Sequence, residues 1–326
     1  MRHQPGDVID GYQIAGCLGE GGFAESYEAE DTRDGRRVVL KVFKGNVVGD
    51  QRAARRFRQE ATIARTLDHP RLQQSHDDGR TRTELYLVLD YVDGESLSDW
   101  LRAHPSGIPT PLASAWGREL AEILTYLEQH RVVHGDLKPG NLLVSDDLHL
   151  TLLDFGAAGR APRGFGAQLP FHTEVGTAAY ASPERLQGRR GDHRSDLYSW
   201  GVVMYELLVG RPPFVGASPA ATMGAQLVGT PTPIRELRPD VPAPLEAVVL
   251  KAMRRSPTLR YQSAVELGDD LDRLDSLDLA SFDLSPEPPL AGSALGGKPL
   301  WLLVAGVALG FWFILGATIA ITIALH

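Results

Sequence analysis

Residues 134–143 read HGDLKPGNLL, and Asp154-Phe155-Gly156 ends the apolar run LTLLDFG eleven residues after Leu143. No other feature of the chain restricts its fold so strongly. Asp136 can accept a proton, Lys138 two residues on offers a cation, and Asn141, five after the aspartate, offers an amide oxygen to a divalent metal ion. Asp154 offers a second oxygen ligand from a strand end. Two hard oxygen ligands completed by phosphates and waters suit Mg2+, with Mn2+ an allowed substitute. The fold must bring these four side chains to one place.

Upstream, LGEGGFAESY (18–27) lies between two runs of strand character. There Gly19, Gly21 and Gly22 let the backbone approach phosphate oxygens without a Cβ in the way. The strand VVLK (38–41) places Lys41 inward beneath that hairpin, and a buried ammonium needs an anion. Phosphates, together with Glu60 on the next helix, would supply it. In LVLDYVDG an extended course leaves backbone groups of Asp90 and Val92 for the edge of an adenine ring. Strands are expected at 12–18, 25–30 and 36–43, and one buried on both faces at 84–92. Helices are expected at 51–67, 96–103, 112–130, 195–209, 244–254 and 263–273.

Composition narrows the partners. The 326 residues carry 33 Lys+Arg against 41 Asp+Glu, a net charge of −8, which gives no basic footprint for nucleic acid. Cys17, the single cysteine, cannot form an internal disulfide and fits a reducing compartment. The polar N-terminus lacks the apolar core of a cleaved signal. The C-terminal part differs. Leu300 to Leu325 contains no charged residue, and its 26 residues reach about 39 Å as a helix, more than the roughly 30 Å hydrocarbon core. A single-pass transmembrane helix is expected at 299–325, with only His326 beyond it and therefore no outer domain. Before it, 276–298 is rich in Asp, Ser, Pro and Gly and reads as a flexible juxtamembrane tether. Gly306 and Gly310 form a GxxxG pair, with Ala317 on the same face, a spacing that would allow two such helices to pair as a homodimer. The division is then an arm (1–10), a catalytic head (11–275, split into 11–92 and 93–275), a neck and a membrane tail.

Further motifs continue the pattern. These are GTAAYASPE (176–184), DLYSWGVVMYELLVGRPPF (196–214) and Arg260 in LRYQSA. With the hairpin, the strand lysine, the 134–143 loop and Asp154-Phe155-Gly156, residues 11 to about 273 resemble a bacterial eukaryotic-type (Hanks-type) serine/threonine protein kinase domain. The resemblance implies an α+β, two-lobed fold, with a small antiparallel-sheet lobe bearing one helix and a larger, mostly helical lobe. It implies ATP and Mg2+ as cofactors, Asp136, Lys138, Lys41 and Glu60 as catalytic residues, and Asn141 and Asp154 as metal ligands. Nucleotide contacts would come from Leu18, Gly19, Glu20, Gly21, Gly22, Ser26, Val39, Lys41, Asp90, Val92 and Leu143. Thr173 and Thr177 fall in the activation segment, whose Glu184 would pair with Arg260, and Lys138 with Thr177 favours Ser/Thr over Tyr acceptors. Small-molecule kinases share HGD followed by Asn five residues later, but lack the later motifs.

The chain departs from the pattern at Gly135, where an arginine that clamps a phosphorylated loop is usual. Thr173 is the one Ser/Thr acceptor between Gly156 and Gly176, so activity is expected not to depend strictly on loop phosphorylation. Ala24, Ser26 and Val39 change the roof over the nucleotide, and a catalytically weak scaffold is the alternative reading. Since ATP is cytosolic, the head is expected on the cytoplasmic side of the inner membrane, with the C-terminus outward.

Overall fold

The computed structural model describes residues 2–45, 51–76, 79, 82–156, 158–160, 177–189, 191–283, 285 and 287. The small lobe runs β1 (Val8–Ile9), β2 (Tyr12–Glu20), β3 (Ala24–Asp31), β4 (Arg37–Phe43), α1 (Gln51–Ala64), β5 (Ser75–His76) and β6 (Tyr86–Asp90). Its strands form one antiparallel sheet ordered β1-β2-β3-β4-β6-β5. Because side chains alternate across a strand, β4 sorts into two faces. Val38, Leu40 and Val42 join Tyr12, Tyr27 and Tyr86 in one cluster, while Val39 and Phe43 join Ala24, Phe57 and Leu89 in the other. Lys41 shares the second face. On α1 the residues Ala53, Ala54, Phe57, Glu60, Ile63 and Ala64 are buried, a helical stripe that carries one carboxylate into the interior with it.

The large lobe follows as β7 (Glu95–Ser96), α2 (Leu97–Ala103), α3 (Thr110–Gln129), β8 (Val132–Val133), β9 (Leu142–Val144), β10 (Leu150–Leu152), β11 (Gly159–Arg160), α4 (Pro183–Leu186), α5 (His193–Val209), α6 (Pro219–Val228), α7 (Ile234–Leu237), α8 (Ala243–Ala252) and α9 (Ala264–Asp272). Its core gathers Trp116, Trp200, Tyr198, Tyr205 and Tyr261 among aliphatic side chains. Asp192 caps α5 through its side chain and Gly210 ends it at φ 83°. Within the large lobe, Leu142 pairs with Leu152, so the chain leaving β10 runs beside the end of the 134–141 loop. Leu153 N–H donates to the Asn141 carbonyl at 2.8 Å.

Several boundaries differ from expectation. Helix α1 stops at Ala64 instead of 67, where the Thr66 hydroxyl donates to the Ile63 carbonyl and closes a turn. The strand expected at 84–92 narrows to Tyr86–Asp90. Helix α6 has no expected counterpart; it buries only Gln226 and therefore shows no apolar stripe, although Ser218 caps it before Pro219. The arm is tied down: the Gly6 and Ile14 backbones pair, and Arg2 N–H donates to Glu25 and Tyr27. The described residues of the neck, up to 283 with 285 and 287, touch the large lobe. Phe282 packs on the large-lobe core and Glu287 bonds to residues 255 and 256. Among the described residues no helix is long and apolar enough to cross a membrane, and the 300–325 run lies outside them.

Candidate active site

Three elements deliver the charges of the cleft. Strand β4 carries Lys41, the buried stripe of α1 carries Glu60, and the end of β10 leads to Asp154. Lys41 Nζ lies 2.6 Å from Glu60 Oε1 and also bonds to Asp154 Oδ1. Burial would lower the Lys41 ammonium, but the Asp154 and Glu60 carboxylates outweigh it and hold it above its usual value. For Asp154 burial works upward, yet Lys41 and the Gly156 N–H, which donates at 2.8 Å, hold the carboxyl well below its usual range. Glu60 shares the one ammonium, and burial with the Asp154 charge pushes it up to about 7. Asp154 takes a left-handed backbone at φ 60°, a strained state typical of functional positions. A Cβ on Gly156 would stand 3.0 Å from Asp154 Oδ1 and 3.3 Å from Lys41 Nζ, so the residue after Phe155 is small for steric reasons.

The 134–141 loop supplies the second half. Asp136 Oδ2 is 2.9 Å from Lys138 Nζ and accepts from Asn141 Nδ2 at 3.1 Å; the same amide donates to the Asp136 carbonyl at 2.7 Å. Asp136 Oδ1 is buried without a hydrogen-bond partner among the described residues. Asn141 commits its nitrogen to Asp136, and its amide oxygen is the candidate ligand for a cation. The oxygen chemistry of Asn141 and Asp154 fits a hard divalent metal held jointly with phosphates. Among the described residues no group of three or more His, Cys, Asp or Glu is arranged around a metal position.

The hairpin over the cleft is braced from behind: Lys44 bonds to Glu20 and, at 3.2 Å, to the Gly21 carbonyl, and Gly21 N–H donates to Ala24. Leu18 is half-exposed, Gly19 has open space beside it, Gly22 is exposed, Ser26 is half-buried and Val39 is buried. Leu143, whose Cβ lies 3.5 Å from an ideal Cβ on Gly94, sits below the end of the 90–94 stretch. That stretch begins at Asp90. Its N–H donates to the Gln74 carbonyl at 2.9 Å, and its own carbonyl accepts from Gln73 Nε2 at 2.8 Å, leaving one lone pair for an adenine. Val92 remains half-buried.

On the acceptor side, Arg260 Nη1 and Nη2 hold Glu184 Oε1 and Oε2 at 2.9 and 2.7 Å, and Ser195 donates to the same carboxylate at 2.6 Å. Burial would raise Glu184, but the guanidinium and the hydroxyl keep it down at about 2. Thr177 begins the turn Thr177–Tyr180; Thr173 lies outside the described residues. Two residues were missed from sequence. Asp196 accepts the N–H groups of His134 and Gly135, and Gln73 occupies the Asp90 carbonyl. Asp196 stood inside a quoted motif with no role, and its contacts span more than sixty residues; Gln73 had no signal at all.

The family described as "Protein kinase domain" matches residues 12–264. The serine/threonine-protein kinase PknB of Mycolicibacterium smegmatis is 36% identical over 278 residues, 83% of this chain and 44% of its own length. PknF of Mycobacterium tuberculosis, also a serine/threonine-protein kinase, is 36% identical over 80% of this chain and 56% of its own. The chain thus spans about half the length of the curated relatives it matches. The crystal structure of the M. tuberculosis PknI kinase domain superposes with a TM-score of 0.63 at 27% identity, covering 83% of this chain and 99% of that one.

Proposed function

The chain belongs to the protein kinase family, and from that footing we propose that it is a membrane-anchored serine/threonine protein kinase using ATP and Mg2+. The observation that carries this reading is Lys41 bonded at once to Glu60 of its own lobe and to Asp154 of the other, beside the Asp136–Lys138–Asn141 cluster. Lys41 orients the ATP phosphates, with Glu60 fixing the lysine. The Asp136 carboxylate takes the proton of a Ser or Thr hydroxyl as the hydroxyl oxygen bonds to the γ-phosphorus and the bond to the β-phosphate oxygen breaks, releasing ADP. Lys138 steadies the charge on the moving phosphoryl group. Asn141 and Asp154 would hold Mg2+, which neutralises phosphate charge. Gly19, Gly21 and Gly22 cover the phosphates, Leu18, Val39 and Leu143 enclose the base, and Asp90 and Val92 meet its edge. The intact ion cluster favours an enzyme over a scaffold.

The 299–325 run anchors the head to the cytoplasmic membrane, and Gly306 with Gly310 pairs two tails, promoting autophosphorylation in trans. Length and apolarity support the first reading; glycine spacing supports the second. The test is phosphoamino-acid analysis of a protein acceptor treated with the detergent-solubilised full chain, ATP and Mg2+. Phosphoserine and phosphothreonine are expected. Transfer only to small molecules would overturn the assignment.

A further inference from the structure

The neck ends its described course on a basic turn of the large lobe. After α9, the turns Leu274–Ser276 and Leu279–Ser281 lead the chain back over the lobe. Phe282 lies against the core with Lys251 Nζ 5.2 Å from its ring centroid. Glu287 then meets the turn between α8 and α9. Its Oε1 accepts the Arg255 N–H at 2.8 Å and its Oε2 the Ser256 N–H at 2.9 Å. Arg254 Nε stands 3.1 Å from Oε1, and Arg254 Nη1 donates to the Ser285 carbonyl at 2.6 Å. Arg255 Nη2 donates to the main-chain carbonyl of Glu287. The Arg254 and Glu287 side chains are only 10% and 11% exposed, so this ion pair is largely out of water.

The same two peptide groups are used from their other ends. Arg260 Nε donates to the Arg254 carbonyl at 2.7 Å and Nη2 to the Arg255 carbonyl at 2.9 Å, while the fork holds Glu184. Two peptides are therefore clamped between carboxylate and guanidinium: Glu287 on their N–H ends, Arg260 on their C=O ends, and Glu184 beyond. Hydrogen bonds in series polarise one another, and each charge helps the next bond. Without Glu287, two N–H groups and the Arg254 guanidinium would be left in a dry site with no anion, and the turn would have to move.

We propose that the Arg254–Ser256 turn is a carboxylate-binding site whose occupant is Glu287 of the neck, and that this docking holds Arg260 on Glu184. The neck, which leads toward the apolar tail, is thereby coupled to the segment that receives the acceptor protein. Tension on the neck, or a competing acidic segment, loosens that segment. Docking stands independently of the proposed activity; its effect on acceptor use rests on that reading.

The experiment is hydrogen–deuterium exchange on the full chain in detergent, wild type against Glu287→Ala and the milder Glu287→Gln, with KM measured for ATP and for a protein acceptor. Exchange in peptides covering 253–257 is expected to rise at least tenfold in Glu287→Ala and less in Glu287→Gln, with a smaller rise in 177–186. KM for the acceptor rises several-fold while KM for ATP stays unchanged. Wild-type exchange at 253–257 in both variants would overturn the docking. A rise confined to 253–257, with acceptor KM unmoved, would overturn the coupling. A wild-type chain without transfer activity refutes the kinase reading and leaves the exchange result to decide the docking.

Discussion

The Asp196 carboxylate accepts the Gly135 N–H at 2.7 Å, joining the start of α5 to the loop that carries Asp136. Its second oxygen takes the His134 N–H at the same distance. Gly135 holds φ 74°, a region that costs other residues about 1 kcal/mol or more. Asp196→Ala should therefore destabilise the fold by about 3 kcal/mol, from two lost bonds to a buried charge. Gly135→Ala should cost about 1 kcal/mol. Urea denaturation checks both; equal effects would contradict the assignment.

Glu60 sets a pH response. Its carboxyl, pushed up to about 7 by burial and by Asp154, binds a proton in the folded state that the unfolded chain has released above about 4.5. This group's contribution to stability is complete below 4.5 and fades as pH rises through 7. For activity the direction is opposite, since protonation frees Lys41 from Glu60. KM for ATP is expected to rise as pH falls through about 7, and Glu60→Gln should flatten that dependence. Steady-state kinetics between pH 6 and 8 give the answer.

Glu184 behaves in the reverse sense. Held at about 2 by Arg260, against an ordinary 4.5, it contributes stability that is present above 4.5 and lost as pH falls toward 2. That gap corresponds to roughly 3 kcal/mol. Arg260→Met, which strands a buried carboxylate, should cost about 3–5 kcal/mol at neutral pH and remove the acid limb. Thermal melts of both proteins from pH 3 to 7 would show it.

Gln73 narrows the base-binding edge. Its Nε2 occupies one lone pair of the Asp90 carbonyl, and its side chain is almost wholly buried. Gln73→Val removes a donor that shares this oxygen with the base, and strengthening of the remaining contact by up to about 1 kcal/mol predicts a KM for ATP up to about fivefold lower. An unchanged or higher KM in steady-state kinetics would mean that Gln73 does not weaken that contact.

The clustering of the candidate residues was legible because its members are close in sequence or sit on strongly patterned elements. Asp136, Lys138 and Asn141 share one short loop, β4 alternates, and Glu60 falls on the buried stripe of α1. The misses arose where non-local pairing decides. Asp196 acts on residues more than sixty positions away, and Gln73 lies in a short polar stretch without periodicity. Helix α5, expected at 195–209, runs His193–Val209 although it is buried nearly all round. Helix α6, half-exposed, was not expected. The neck read as polar and unfolded, since a single carboxylate docking on two N–H groups leaves no compositional trace.

The central claim is that Asp136 takes the acceptor proton in a cleft assembled by Lys41, Asn141 and Asp154. Transfer of ³²P from labelled ATP to a protein acceptor, compared between the wild-type chain and Asp136→Asn, tests it most directly. We expect wild type to label the acceptor and the variant to fall at least a hundredfold. Equal labelling by the two proteins would contradict the account.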